Sequence, residues 1–242
     1  MNPYNSALLA NICNYFCTFA CLFKNKNSFR FSQQMKQFSH ISTLIFDFGG
    51  VLINLDLKRC IQNFKELGLD HFEENLNLYG QKGFFLQFEK GLIGVNEFHE
   101  EIRKLSAKPL TNEQIDNAWC TFLCDIPTHK IEMLLELKKK YRLLLLSNTN
   151  PIHIEISAAN EFSRAGTTIS EIFDRCYLSY EMIMVKPNAD IFQTLLKTEQ
   201  VTAGECLFLD DGIKNIEQAA NLGFQTYLVK ANEDLRWLLD IG

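Results

Sequence analysis

The sequence predicts an α/β protein whose core is a doubly wound, parallel, Rossmann-like sheet carrying an inserted helical domain. In the second half of the chain, short apolar runs typical of buried strands alternate with segments of helical period. Several of these runs end in polar side chains, and open α/β sheets bind their ligands at that end of the strands. About 100 residues separate the first such run from the second, which is too many for one connecting helix.

The first strand is predicted at the apolar run Leu44-Ile45-Phe46, which is followed by Asp47 and the glycine pair Gly49-Gly50. An apolar run bounded in this way is typical of a buried strand that enters a tight turn. The insertion that follows has an apolar period of about 3.6 residues and is interrupted by glycine and proline. This pattern predicts helices at 58–67, 83–90, 96–105 and 112–124.

After the insertion, strands and helices alternate to the C-terminus, which predicts a sheet covered by helices on both faces. Pro187 suits the start of a helix because its missing N–H is not needed there. The predicted strands cover 143–147, 176–179, 206–210 and 225–229. The predicted helices cover 130–140, 152–162, 188–198, 213–222 and 232–239.

Three carboxylates stand at predicted strand ends: Asp47 after the first strand, and Asp210 and Asp211 at the end of the fourth. A lone acid such as Asp47 is about as often a turn cap as a catalytic group. Two adjacent carboxylates, however, repel each other unless a cation or a shared proton compensates them. Mg²⁺ prefers such hard oxygen ligands, so the pair favours a magnesium site. Asn215, on the first turn of the next helix, is placed to orient these ligands.

Side chains suited to an anion stand at two further positions. Ser147 and Asn148 end the second strand, where a hydroxyl and the backbone N–H groups of a helix start can bind an anion. Ordinary helix capping by Ser147 or Asn150 would explain the same residues. Lys186, directly before Pro187, can present an ammonium to the same anion, although a single lysine is usually a solvated surface charge.

In this order, the motifs resemble the four motifs of the haloacid dehalogenase-like hydrolase superfamily, from about Ser42 to the C-terminus. The strings D-F-G-G-V-L-I-N-L-D, S-N-T-N and L-D-D-G-I-K-N-I-E-Q-A look closest to the bacterial sugar-phosphate phosphatase branch, which includes alpha-D-glucose-1-phosphate phosphatase-like proteins. The resemblance implies a helical-bundle cap inserted after the first motif. It also implies a Mg²⁺-dependent phosphatase that acts on a small phosphorylated metabolite, a sugar phosphate in particular.

The resemblance also implies a role for each motif residue. Asp47 corresponds to the nucleophile that attacks phosphorus and forms an aspartyl-phosphate, an accepted role for a carboxylate. Ser147 and Asn148 correspond to the phosphate-binding motif, and Lys186 to the cation that neutralises the phosphoryl charge. The implied magnesium ligands are Asp47, Asp210, Asp211 and the backbone carbonyl of Gly49.

One position departs from the family pattern. Most phosphatases of the superfamily carry a second Asp two positions after the nucleophile, as general acid and base, and this chain has Gly49 there. General acid–base catalysis typically contributes about 10²–10⁴-fold, so we expect slower chemistry unless the leaving group is good, as an anomeric sugar oxygen is. Relatives in the sugar-phosphate branch share the glycine. Asp56 is one substitute to consider, but a helix N-cap or first-turn acid is the better interpretation.

Two alternatives to a phosphatase stay open. The 2-haloacid dehalogenases of the superfamily also lack the second Asp and use the nucleophile without metal, but they do not keep an acidic pair such as Asp210-Asp211. A catalytically weak member that binds a phosphorylated ligand or a partner protein as a regulator is the other alternative. Only turnover separates that regulator from the enzyme.

Composition narrows the class of protein. The chain has 242 residues, 47% of them apolar, and a net charge of −5. No basic stripe suggests a nucleic-acid partner. The eight cysteines show no C-x-x-C spacing. Five of them lie in apolar surroundings and are expected to be buried thiols of a cytoplasmic protein: Cys60, Cys120, Cys124, Cys176 and Cys206. Oligomeric state is not predicted.

We predict three regions in the chain. Residues 1–40 form an N-terminal extension that is disordered or not native, residues 41–56 and 126–242 form the α/β core, and residues 57–125 form the helical cap. Residues 7–23 are apolar but only about long enough for the shortest membrane span, so a membrane-anchored form is the minor alternative. We expect Met35 to be the natural start.

The predicted cap contains an aromatic cluster, Phe84, Phe85 and Phe88, which we expect to pack inside the cap. A cap that closes over the core would exclude water and supply substrate contacts. The candidates for binding substrate hydroxyls are Gln87, Glu89, Lys90 and His99.

Overall fold

Five parallel strands form a sheet with the order β3-β2-β1-β4-β5. The strands are β1 Thr43–Phe46, β2 Arg142–Ser147, β3 Arg175–Leu178, β4 Cys206–Asp210 and β5 Gln225–Leu228. Phe46 lies opposite Leu145 of β2 and Leu209 of β4, so the carboxyl ends of the three central strands meet at one edge. β1 and β4 are buried along their whole length, as expected for parallel strands covered on both faces. The predicted doubly wound α/β fold is confirmed.

This computed structural model describes residues 38, 40–70, 72 and 82–241. Residues Ile41–Leu239 form one compact unit, and a second unit contains the remaining described residues at 38, 40, 240 and 241. The predictions for residues 7–23 and for a start at Met35 lie outside the described residues. Within the described part of the chain, no helix is long and apolar enough to cross a membrane. A cytoplasmic location stays a prediction.

Ten α-helices are found in the described residues. Five lie between β1 and β2, and the last of them leads into β2: α1 Leu57–Glu66, α2 Gly83–Glu89, α3 Val95–Leu105, α4 Asn112–Cys120 and α5 Thr128–Leu137. The others are α6 Ala159–Arg164, α7 Ile169–Ile172, α8 Ser179–Met182, α9 Ala189–Glu199 and α10 Ile213–Asn221. The helices α1 to α4 occupy the segment that we propose as a cap.

The proposed cap has an aromatic core. Phe85, Phe88, Phe98 and Trp119 are each at most 1% exposed. Phe88 stacks on Phe98 with 4.3 Å between ring centroids, and Phe85 lies 5.3 Å from Trp119. The prediction that the 84–88 aromatic cluster packs inward is therefore correct for its two buried members.

Three predicted helices differ in detail. The segment predicted as helix 152–162 is helical, but it contains a π-helical turn at His153–Ala158, after which α6 runs over Ala159–Arg164. Pro187 lies before the N-cap Asn188 and not inside the helix, because α9 starts at Ala189. The helix predicted at 232–239 is wrong: Asn232 has a left-handed backbone (φ 59°), which interrupts a right-handed helix, and only a 3₁₀ turn at Arg236–Asp240 follows.

Candidate active site

A cavity of about 430 Å³ lies where β1, β2 and β4 end. Six of the predicted site residues line it: Asp47, Gly49, Ser147, Asn148, Lys186 and Asp211. The seventh, Asp210, is fully buried and reaches the site through its carboxylate. The proposed cap and the linkers around it contribute Leu55, Glu89, Phe122 and Leu123, and the start of α10 contributes Lys214 and Asn215.

The three acids form a compact cluster. One carboxylate oxygen from each of Asp47, Asp210 and Asp211 lies within 4.8 Å of the other two. Asp47 is 8% exposed and Asp210 is completely buried. Buried like charges at this separation repel each other unless a cation lies among them, and oxygen-only ligands suit Mg²⁺. The donor set therefore fits the predicted magnesium ion.

Gly50 is a site residue that the sequence indicated only as part of a turn. It has a positive φ of 71°, and a Cβ built on it would lie 2.2 Å from Oδ2 of Asp211. Any side chain would therefore displace this carboxylate from the acidic cluster. The glycine pair thus serves both the turn after β1 and the approach of Asp211.

Lys186 joins the acids to the rest of the site. Its Nζ lies 2.9 Å from Oδ1 of Asp47 and 2.6 Å from Oδ2 of Asp210, and the residue is only 3% exposed. The side-chain amide of Asn148 holds this residue by its backbone: Lys186 N donates to Asn148 Oδ1, and Asn148 Nδ2 donates to Lys186 O, both at 2.9 Å. The lysine is therefore a fixed, buried cation and not a solvated surface charge.

The electrostatics of the cluster favour a bound cation. Burial raises the pKa of Asp47 to about 8, the ammonium of Lys186 opposes this shift, and the charges of Asp210 and Asp211 add to it. Burial and the neighbouring Asp210 raise the pKa of Asp211 to about 6. Burial alone would lower the pKa of Lys186, but Asp210 and Asp47 outweigh it and raise the value. Asp47 and Asp211 therefore bind protons more tightly than an ordinary carboxylate unless a cation compensates their charge.

Asp210 is held in a single orientation by three donors. Asn215 Nδ2 at 2.9 Å and Gly212 N at 2.7 Å both donate to its Oδ1, while its Oδ2 accepts from Lys186. The sequence-based prediction that Asn215 orients the acidic pair is consistent with this contact.

We expect Asn215→Ala to weaken Mg²⁺ binding by about 10–100-fold, because partners that orient a metal ligand typically contribute that much affinity. Isothermal calorimetry of Mg²⁺ binding to the wild-type and variant proteins measures the change. The exposed Lys197→Met variant on α9 serves as a control. An unchanged affinity in Asn215→Ala would show that Gly212 N and Lys186 orient Asp210 without help from Asn215.

The residues after β2 divide between capping and the cavity. Asn150 Oδ1 accepts from His153 N at 3.0 Å, so Asn150 is the residue that caps the helical segment there. Ser147 is 2% exposed and lines the cavity instead. Its role as a phosphate ligand, like that of Asn148, stays a prediction.

The proposed cap contributes one titratable side chain to the cavity. Of the four predicted hydroxyl-binding residues, only Glu89 lines the cavity, and Gln87 and Lys90 are not among its lining residues. His99 is buried and its Nε2 lies 2.7 Å from Oδ1 of Asp116, so it serves the helix pair α3–α4. Asp56 caps α1 by accepting from Arg59 N at 2.9 Å, which confirms the N-cap interpretation.

Comparison with known proteins agrees with this geometry. Residues 41–223 match the haloacid dehalogenase-like hydrolase family. The chain is 35% identical to the D-ribitol-5-phosphate phosphatase of Bacteroides thetaiotaomicron over 83% of this chain and 98% of that protein. It is also 45% identical to a wild-type HAD family enzyme of the same organism, solved in complex with magnesium and inorganic phosphate (TM-score 0.78, covering 82% of this chain and 98% of that one).

Two further solved structures extend the comparison. A HAD-like family hydrolase from Porphyromonas gingivalis is 37% identical, with a TM-score of 0.75 over 81% of this chain and 94% of that one. The L-2-haloacid dehalogenase of Xanthobacter autotrophicus is 21% identical with a TM-score of 0.56, covering 82% of this chain and 80% of that one. This second similarity extends to the fold alone.

A buried carboxylate cluster beside a fixed lysine, at the carboxyl edge of a parallel sheet, is the arrangement expected of a site that binds Mg²⁺ and an anion. The chain belongs to the haloacid dehalogenase-like hydrolase family. The predictions of a phosphoric monoester hydrolase and of magnesium as its cofactor are confirmed.

Proposed function

We propose that the protein hydrolyses the phosphate ester of a small sugar or polyol through a covalent phosphate on Asp47. The observation that carries this proposal is the position of Asp47, which lies beside the Lys186 ammonium and two further acids. The cavity that the carboxylate faces is also lined by Glu89 and Phe122, from α2 and the linker after α4. A nucleophile, a charge-neutralising group and a place for a small substrate are thus combined.

The reaction has two displacements at phosphorus. In the first, an Asp47 oxygen bonds to phosphorus, the bond from phosphorus to the ester oxygen breaks, and that oxygen takes up a proton and leaves as the alcohol. In the second, water attacks phosphorus, the bond to Asp47 breaks, and inorganic phosphate and the free carboxylate result. The backbone N–H of Phe48 donates to Asp47 Oδ1 at 2.7 Å. The oxygen that attacks phosphorus is therefore Oδ2.

Charge neutralisation is the main task of the surrounding residues. Phosphoryl transfer is largely positioning plus electrostatic stabilisation, and an anionic nucleophile cannot approach an anionic phosphate unaided. Lys186 places its ammonium 2.9 Å from the nucleophile. Mg²⁺ held by Asp47, Asp210 and Asp211 supplies further positive charge to the nucleophile and the phosphate when it is bound. Ser147, Asn148 and the carbonyl of Gly49 are proposed to complete the phosphate and metal sites.

The cavity supports a small, polar substrate. Its volume of about 430 Å³ is in the range of small-molecule sites. Besides the acids, the cavity is lined by apolar Leu55 and Phe122 and by the polar chains of Glu89, Lys214 and Asn215. Such a mixture suits a hydroxylated carbon chain, and the related D-ribitol-5-phosphate phosphatase supports a phosphorylated polyol or sugar. A nucleic-acid partner is not proposed.

Phosphate release tests this function. We expect the full chain to release phosphate from ribitol 5-phosphate or a sugar phosphate such as glucose 1-phosphate or glucose 6-phosphate, with Mg²⁺ and not with chelator. Chloride release from 2-chloropropionate, assayed in parallel, tests the dehalogenase alternative. If the folded protein binds Mg²⁺ and inorganic phosphate but turns over no substrate in either assay, the regulator is the better explanation.

A further inference from the structure

Glu89 is the carboxyl group of the cavity that the magnesium cluster does not use. It is the last residue of α2, in the proposed cap, and it lines the cavity together with Asp47 and Lys186. Among the described residues that line the cavity, the other carboxyls are Asp47 and Asp211, and both belong to the acidic cluster. Gly49 has no side chain that could move a proton. Glu89 therefore stands alone as a carboxyl free for proton transfer.

The backbone around Glu89 is fixed against the core. The Ser179 hydroxyl lies 2.6 Å from the carbonyl oxygen of Glu89, and the same oxygen of Ser179 accepts from Thr149 N at 3.0 Å. Ser179 is completely buried at the end of β3. One hydroxyl thus connects the end of α2 to the residues after β2 and β3.

Gly91 allows this close approach. Its φ is +65°, and a Cβ built there would lie 2.0 Å from the carbonyl oxygen of Tyr180. Only glycine can therefore bring the chain just after α2 against α8. The approach of Gly91 to Tyr180 and the hydrogen bond from Ser179 both come from a segment distant in sequence. Together they hold Glu89 at the cavity.

Burial favours the neutral, protonated form of the Glu89 carboxyl. Burial raises its pKa to about 8, the negative charge of Asp47 adds to this effect, and the ammonium of Lys186 opposes it. A catalytic acid works best when its pKa lies close to the working pH, because it can then both release and regain its proton. The charged groups that act on this carboxyl are Asp47 and Lys186.

We propose that Glu89 is the general acid and general base of the reaction, an inference that rests on the proposed phosphatase function. As the bond from phosphorus to the ester oxygen breaks, the Glu89 carboxyl gives its proton to that oxygen and becomes a carboxylate. In the second displacement, this carboxylate takes a proton from the attacking water. The bond from phosphorus to Asp47 then breaks, and Glu89 ends as the neutral acid with which it began.

Leaving-group dependence tests this role. In Glu89→Gln, we expect phosphate release from an alkyl phosphate such as ribitol 5-phosphate to fall by about 100-fold or more, the usual scale of general acid catalysis. 4-Nitrophenyl phosphate has a leaving group that departs without a proton. Stopped-flow measurement should therefore show a rapid burst of one nitrophenolate per active site, followed by slow turnover limited by attack of unassisted water.

Controls separate this proposal from a loss of structure or of the proposed function. Glu100→Gln makes the same chemical change on the exposed surface of α3, and we expect wild-type rates from it. Unchanged turnover of the alkyl phosphate by Glu89→Gln, or an equal loss on both substrates without a burst, would overturn the role of Glu89. A wild-type protein that hydrolyses neither substrate would instead contradict the phosphatase function.

A measurement on the wild-type protein keeps the proposal testable even if the variant does not fold. A series of alkyl phosphates whose alcohols become steadily less acidic should show nearly constant single-turnover rates, since the proton donor compensates for the poorer leaving groups. A steep fall in rate along the series would mean that no general acid acts at the leaving oxygen.

Discussion

Asp47→Asn is expected to reduce phosphate release by about 10⁴-fold or more, because removal of a covalent nucleophile typically has effects of this size. Asparagine keeps the size of the side chain and its acceptor for Phe48 N, which lies 2.7 Å from Asp47 Oδ1. It has no carboxylate oxygen to bond to phosphorus. The variant should therefore fold and still bind phosphate, yet form no covalent phosphate.

Rapid-quench mass spectrometry is the measurement that checks this result. The wild-type protein should gain a phosphoryl group during turnover and the variant should not. Asp70→Asn makes the same change at an exposed residue after α1 and should leave turnover at the wild-type rate. Turnover in Asp47→Asn at more than a trace of the wild-type rate would mean that water attacks the substrate directly.

The same substitution has a consequence for stability. The pKa of Asp47 is raised to about 8 in the folded protein from an ordinary value of 3.8, so the folded state holds a proton that the unfolded chain has lost. The stabilisation from this proton is complete below pH 3.8 and is lost as the pH rises towards 8. In chelator, the unfolding free energy of the wild-type protein should therefore fall across this range. Asp47→Asn should fall less steeply.

The sheet and the acidic cluster were predictable from the sequence for a simple reason. Parallel strands bring their carboxyl ends to one edge, so Asp47, Asp210 and Asp211 had to meet once the strands were recognised. The strand ending at Asp210 was predicted at its observed bounds, Cys206–Asp210. The bounds of the helices in the insertion were predicted to within a few residues for a different reason, because the apolar period of a helix is a local pattern.

The residues that complete the site depend on contacts between distant segments. The family resemblance assigned Lys186 to the site, but its residue type alone did not, because a single lysine carries no signal of burial. Its position is set by contacts with Asp47 and Asp210, which are distant in sequence. Glu89 was one of four polar candidates in the insertion. What distinguishes it is the contact with Ser179, 90 positions away, which no local pattern contains.

The wrong terminal helix has a different physical cause. The apolar spacing of residues 232–239 is compatible with a helix, but the left-handed backbone at Asn232 and the 3₁₀ turn at Arg236–Asp240 set another path. Asparagine tolerates the left-handed region better than most residues, so Asn232 permits this path. The presence of an asparagine alone does not predict it. Local propensity was overridden here by the turn chemistry of one residue.

Lys186→Met is the second substitution with a large expected effect. It removes the cation that lies 2.9 Å from Asp47 and 2.6 Å from Asp210, while it preserves the length of a buried side chain. We expect turnover to fall by about 10³-fold, since loss of one preorganised charge-stabilising group costs about 10²–10³ in rate. Magnesium affinity should not fall, because the ammonium no longer competes with Mg²⁺ for the same carboxylates.

The free energy of unfolding of Lys186→Met should depend on pH. Removing one partner of a buried ion pair typically destabilises a protein by about 3–5 kcal/mol. The Lys186 ammonium lowers the pKa of Asp47, so without it this carboxyl binds its proton still more tightly in the folded state. The stability of the variant should therefore be lost progressively as the pH rises from about 4 to beyond 8, and the deficit relative to the wild-type protein should narrow at acid pH.

Thermal unfolding in chelator, together with calorimetric Mg²⁺ titration, separates these effects. Lys197→Met, an exposed lysine on α9, is the matched control and should leave turnover, stability and metal affinity unchanged. Wild-type turnover in Lys186→Met would mean that magnesium alone neutralises the phosphoryl group. Loss of magnesium binding would mean that the lysine organises the acids instead of competing for them, because without its ammonium Asp47 and Asp210 would separate under their mutual repulsion.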